Sequence, residues 1–99
     1  MIWISGKYIG NIFRINSNQK IYIGRDYGQV DFVLEDADVS RIHCWIEYNA
    51  AQDGYLFCDV SKNGIIINGT KSAKKNQVIF LNTGDEVRIA KTNHIFKLG

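Results

Sequence analysis

The chain has no proline, two cysteines, two histidines and one methionine among its 99 residues. Without proline or any low-complexity stretch, no linker is visible, and residues 1–99 read as a single domain. A helix that crosses a bilayer needs about 20 consecutive apolar residues, and the chain has no such run, so no membrane segment is expected. The start, Met1-Ile2-Trp3-Ile4, lacks the basic residues, long apolar stretch and small-residue cleavage site of a secretory signal, and it reads as a first strand. Two cysteines without such a signal point to reduced thiols in a cytoplasmic setting. Charge of one sign is also missing. The net charge is +2, with basic residues spread along the chain, so bulk electrostatics argue against nucleic acid as a partner. The one basic cluster, Lys71, Lys74 and Lys75, reads more simply as a solvated loop that protects a sheet edge.

Residues for catalysis or metal binding are scarce too. His43 and Cys44 are neighbours and would point to opposite faces of a strand, which separates them as a metal pair or a catalytic pair. Asp31, Glu35, Asp36 and Asp38 are clustered, but no histidine or cysteine completes a ligand set around them. No enzyme activity, metal or cofactor is expected.

Period-2 apolar patterning dominates, and helical periodicity is nearly absent. Strand-like runs are Ile2 to Ser5, Gly10 to Ile15, Lys20 to Gly24, Asp31 to Leu34, Ile42 to Tyr48, Tyr55 to Val60, Ile65 to Ile67, Val78 to Phe80, Glu86 to Ile89 and Ile95 to Leu98. They are rich in β-branched and aromatic residues. Turn signals such as Ser5-Gly6, Asp53-Gly54, Asn63-Gly64, Asn68-Gly69 and Thr83-Gly84-Asp85 separate them. The pattern predicts an all-β sandwich. Alternation puts Ile42, Cys44, Ile46 and Tyr48 on one face, with His43, Trp45 and Glu47 on the other. Leu56, Cys58 and Val60 are expected to meet the first group in the core. A turn over Ala50 to Asp53 would put Cys44 opposite Cys58, as two small core side chains rather than a disulfide.

Short polar motifs lie at the mouths of these strands: Gly24-Arg25, Ser40-Arg41-Ile42-His43, Ser61-Lys62-Asn63-Gly64 and Asn68-Gly69. Guanidinium, hydroxyl, ammonium and amide groups together can hold a doubly charged phosphate and the peptide backbone beside it. No nucleophile accompanies them. The residues point to gripping a phosphate without acting on it.

These motifs, in this order, with Gly84-Asp85 before the last strands, resemble the forkhead-associated (FHA) domain from about Lys20 to Leu98. The resemblance implies two twisted sheets of about 10–11 mostly antiparallel strands, with loops at one end that bind phosphothreonine peptides. It implies Arg25 and Ser40 on the phosphate, Asn63 on the peptide backbone, and a basic or polar residue at Arg41 that adds charge to the site; the Lys62 ammonium, at a position that departs from the family, would strengthen an electrostatic grip on the phosphate. The family's small apolar depression for the threonine methyl is also implied. Gly24, His43, Gly64, Asn68 and Gly69 are expected to support the binding loops, with His43 bracing them by hydrogen bonds. Three positions depart from the family pattern. Lys62 stands where serine or threonine is common, Ile65 where threonine is frequent, and Asp38 where some relatives are basic. Asp38 should weaken any preference for acidic residues flanking the phosphothreonine. The implied function is phosphorylation-dependent protein interaction. The alternative is a phospho-independent or self-associating module that uses another surface, such as the one around Trp45. The end at Gly99, just after a strand, is expected of a domain excised from a larger protein.

Overall fold

In the computed structural model, which describes residues 1–99, the alternating runs form ten strands and no helix. They are β1 (Ile2–Ser5), β2 (Lys20–Gly24), β3 (Phe32–Val33), β4 (Cys44–Asn49), β5 (Gly54–Asp59), β6 (Ile65–Ile67), β7 (Lys71–Ser72), β8 (Val78–Leu81), β9 (Glu86–Ile89) and β10 (Ile95–Lys97). Two five-stranded sheets result, ordered β1-β10-β9-β6-β7 and β3-β2-β4-β5-β8. Every pairing is antiparallel except β2 with β3.

The inward residues of both sheets make one core. Ile21, Ile23, Cys44, Ile46 and Phe57 of one sheet are buried, as are Ile65, Val87, Ile89 and Phe96 of the other. Trp3 anchors one side, its ring 5.0 Å from Phe96 in an edge-on contact and 5.4 Å from Phe32. Each large apolar side chain taken from water contributes about 1.5–3 kcal/mol, which is why a pattern of period 2 is enough to choose this fold.

Four expectations need correction. Gly10 to Ile15 is not a strand. It runs back along β1 after a turn with positive φ at Gly6 (93°) and Gly10 (85°), with the Gly10 N–H on the Trp3 carbonyl and the Trp3 N–H on that of Asn11, but it forms only one isolated bridge, Ile2 to Ile12. β7 forms where a loop was expected, and its sequence Lys-Ser offers no apolar residue to reveal it. His43 lies immediately before β4 rather than within it. The β4–β5 register is the fourth. Asn49 pairs with Gly54, so Cys44 lies opposite Asp59, and Cys58 lies opposite Trp45. A shift of one residue reverses every face. Tyr55, Phe57 and Asp59 therefore face inward, while Leu56 and Cys58 join Trp45 and Glu47 on the outer face. The two cysteines are free and lie on opposite faces.

The registers also collect loops. Ile23 pairs with Cys44, Cys44 with Asp59, and Ile65 with Ile89. The segments after β2, before β4, between β5 and β6, and after β9 thus share one tip of the sandwich.

Candidate functional site

The tip begins at Gly24. A Cβ there would lie 2.1 Å from the Arg41 carbonyl oxygen, so only glycine admits the backbone of residues 40–42 so closely. The Arg25 N–H donates to the Ser40 carbonyl at 2.9 Å, and the Asp26 N–H donates to that of Arg41 at 3.2 Å. The Arg25 side chain is oriented by its Nε, which donates to the Val39 carbonyl at 2.9 Å. Its terminal nitrogens make no ion pair. The one lysine or arginine paired with a carboxylate is Lys7, with Glu35, and His94 lies 4.0 Å from Asp36, so neither Asp26 nor Asp31 is paired with Arg25. The Asp31 carboxylate instead accepts the Tyr22 N–H. Asp26 is held below its usual carboxylate value by hydrogen bonds from the Gln29 amide and the Gly28 N–H, with Arg41 and Arg25 adding to the effect. Arg41 is exposed beside it.

His43 joins the loops from inside. It is wholly buried. The Ser40 N–H donates to its Nδ1 at 3.0 Å, so Nδ1 carries no proton, and Nε2–H donates to the Gly64 carbonyl at 2.8 Å. Burial lowers its pKa below the ordinary histidine value; the Gly64 bond and Asp59 oppose that, and Lys75 adds to it. The imidazole is neutral, with both nitrogens in use.

The β5–β6 loop is tied in from below. The buried Asp59 carboxylate accepts the Ser61 N–H at 2.9 Å and the Ser61 hydroxyl at 2.5 Å. The Ser61 oxygen in turn accepts the Gly64 N–H at 2.8 Å. Gly64 has φ of +89°, a left-handed conformation that glycine reaches without strain. The loop is thereby turned toward Ser40. The Lys62 N–H donates to the Ser40 Oγ at 3.0 Å, and the Asn63 Nδ2 donates to the Asp38 carbonyl at 3.0 Å. A shallow depression of about 360 Å³ beside them is lined by Asp38, Lys62, Asn63, Ala90 and Lys91.

Arg25, Ser40, Arg41, Lys62, Asn63, Gly24, His43 and Gly64 therefore lie together. Asn68 and Gly69 do not. They occupy the far end of β6 as a turn, with φ of 52° and 79°. There the Asn68 amide donates to the Asp85 carboxylate at 3.1 Å and its oxygen accepts the Glu86 N–H at 2.8 Å, which ties the β6–β7 turn to β9. Ile65, in the position where threonine is frequent, is buried in the core. Sequence reasoning gave no role to Asp59, although an acid two residues before a serine is the signature of a side-chain-capped turn. It also placed Lys75 in a separate basic cluster. The Lys75 ammonium donates to the Lys62 carbonyl, and a strand-distant lysine of this kind leaves no local signal.

The FHA domain family profile matches residues 21–90. Among solved structures, the FHA domain of the CT664 protein from Chlamydia trachomatis superposes with a TM-score of 0.81 at 27% identity, covering 99% of this chain and 93% of that one. The N-terminal FHA domain of S. cerevisiae Rad53p, solved in complex with a phosphothreonine peptide, gives 0.64 at 26% identity over 80% of this chain and 68% of that one. Mycobacterium tuberculosis EmbR, solved in complex with a low affinity phosphopeptide, gives 0.63 at 32% identity over 79% of this chain but only 19% of its own. No curated protein matches the sequence. Because the profile match covers more than half of its length, and its two-sheet sandwich is shared with solved members, this chain belongs to the FHA domain family.

Proposed function

We propose that this domain binds a phosphothreonine-containing segment of a partner protein and thereby mediates a phosphorylation-dependent interaction. The observation that carries the reading is the convergence of Arg25, Ser40 and Asn63, from three separate loops, on one tip. The Arg25 Nη groups supply two parallel donors for phosphate oxygens. The Ser40 oxygen already accepts the Lys62 N–H, so its own proton is the group left to donate to phosphate. Asn63 spends one amide hydrogen on Asp38, which leaves its carbonyl and second hydrogen for ligand backbone. Lys62 and Arg41 add positive charge. His43, with both nitrogens engaged, holds the loops and has no free nitrogen to act as a base. The depression by Asn63 receives residues next to the phosphothreonine, with Lys62 and Lys91 outnumbering the Asp38 carboxylate in its lining.

A peptide held only by loops should bind in the micromolar range, about −8 kcal/mol. Arg25→Ala removes charge-bearing hydrogen bonds worth about 1.5–3 kcal/mol each. An oriented library of phosphothreonine, phosphoserine and unphosphorylated peptides, titrated against the parent and Arg25→Ala, tests the proposal. Equal affinity for phosphorylated and unphosphorylated forms rejects it.

A further inference from the structure

The turn after β2 carries an aromatic ring that the phosphate grip does not use. Tyr27 stands 86% exposed, more than any other large apolar or aromatic side chain. The turn that presents it is tied by hydrogen bonds. The Asp26 carboxylate accepts the Gly28 N–H at 3.0 Å and the Gln29 amide at 2.5 Å, and the Asp26 carbonyl accepts the Gln29 N–H at 2.9 Å. Beside Tyr27 opens a depression of about 360 Å³, lined by Lys7, Tyr8, Arg25, Tyr27, Val33 and Glu35. Most of its polar groups are already bonded. The Tyr8 hydroxyl donates to the Val33 carbonyl and accepts the Val33 N–H, both at 3.0 Å. The Lys7 ammonium lies 3.4 Å from Glu35 and donates to the Val33 carbonyl at 3.2 Å. The Tyr8 ring is fixed edge-on against Phe32 at 5.2 Å. Ring and aliphatic surface is what remains for a guest. This depression shares no residue with the one beside Asn63. Between the two lie Arg25, whose N–H meets the Ser40 carbonyl, and Ser40, whose Oγ meets the Lys62 N–H. A peptide with its phosphate on Arg25 and Ser40 thus has one flank by Asn63 and the other by Tyr27.

We propose that Tyr27 selects a phosphothreonine segment that carries an aromatic residue on the flank away from Asn63, with that ring seated in this depression against Tyr27. The inference rests on the phosphothreonine reading and adds a second determinant to it. Arg25 makes the two sites continuous, because the residue that grips the phosphate is also a wall of the depression. Charge chooses the occupant. An acidic side chain would meet Glu35, and a basic one would meet Arg25 and Lys7. A neutral ring packs on the tyrosines without burying an unpaired charge.

The probes are phosphothreonine peptides of about nine residues on an alanine–glycine background, with phenylalanine, glutamate, lysine or alanine at each flanking position in turn. Calorimetric titration measures binding, and amide NMR shifts locate the ring. On one flank only, phenylalanine should bind about three- to tenfold tighter than alanine, the range for one aromatic pair, and should shift the amides of residues 26–29. Glutamate and lysine at that position should give no gain. Tyr27→Phe should keep the preference for phenylalanine over alanine, and Tyr27→Ala should erase it; the side chain is exposed, so both variants retain the fold. A preference that survives Tyr27→Ala overturns the proposal. So does a phenylalanine that shifts the amides of Asn63 and Lys91 instead, or a larger gain from glutamate or lysine. Phosphate discrimination with no flank preference overturns the subsite and leaves the phosphothreonine reading standing. Equal binding of phosphorylated and unphosphorylated peptides removes both.

Discussion

Replacing His43 tests the internal bracing of the tip. The ring is wholly buried and bonds Ser40 on one side and Gly64 on the other. His43→Ala leaves the Ser40 N–H without a partner, at a cost of about 1–2 kcal/mol for a part-buried donor. The space once filled by the ring adds about 2–3 kcal/mol. The Gly64 carbonyl suffers less, because it also accepts the Ala90 N–H at 2.9 Å. The total, about 3–5 kcal/mol, is a large share of the 5–15 kcal/mol typical of a small domain. The melting temperature should fall by more than about 12 °C, at roughly 4–8 °C per kcal/mol. His43→Asn separates the two bonds. Its Oδ1 can replace Nδ1 as acceptor for Ser40, but the side chain is too short to reach Gly64. Asparagine should therefore recover part of the loss. Thermal denaturation followed by circular dichroism reads both variants. An alanine variant that melts within about 3 °C of the parent, or an asparagine variant no more stable than alanine, refutes the bracing.

The same residue predicts a pH dependence. Burial lowers the folded pKa below 6.5, so as pH falls the unfolded chain takes up the proton first. The contribution of neutral His43 is complete above about pH 6.5 and is lost as pH drops toward the lower folded value. Urea unfolding across this window should show a slope in the parent that His43→Asn lacks, and parallel curves would contradict it. Ser61→Ala breaks the bonds to Asp59 and Gly64 together and should destabilise by about 1–3 kcal/mol in urea, while loosening peptide binding at Asn63. Gly64→Ala meets open space, so any loss must come from its φ of +89°; about 1–3 kcal/mol is expected, and an unchanged urea midpoint would reject the strain argument. Cys44 and Cys58 are both buried, and burial pushes both thiols up in pKa. A thiol reagent at neutral pH should label neither until denaturant is added, and fast labelling of either would show its strand to be open.

Local chemistry explains what could be read in advance. The alternation of Ile21 and Ile23 in β2, or of Val87 and Ile89 in β9, is visible because each inward residue is apolar and each neighbour is not committed to the core. Gly24 and Gly64 announce themselves by residue type. β4 and β5 were harder, because both faces of β5 carry apolar residues. Leu56 and Cys58 look as suitable for the core as Tyr55 and Phe57, and only the pairing of Asn49 with Gly54 decides between them. In the tip, Arg25, Ser40 and Asn63 were legible from polar groups placed at strand ends. The Asp59 anchor was not, because a carboxylate on an inward face contradicts the pattern that identifies cores. Asn68-Gly69 carried the same turn signal as Asn63-Gly64, and three residues of β6 send the two turns to opposite ends of the molecule.

The carbonyl of Gly64 has a mechanical consequence. It receives the His43 ring from the chain entering one sheet and the Ala90 amide from the chain leaving the other. The His43 bond rivets the two halves where a guest would lie across their seam, the Ala90 bond continues the β6–β9 ladder, and sliding one half past the other must break the His43 bond. A rim stiffened this way keeps its shape while empty. A short guest then loses little free energy in ordering its host, and no lid has to close or reopen, so capture and release can both be quick.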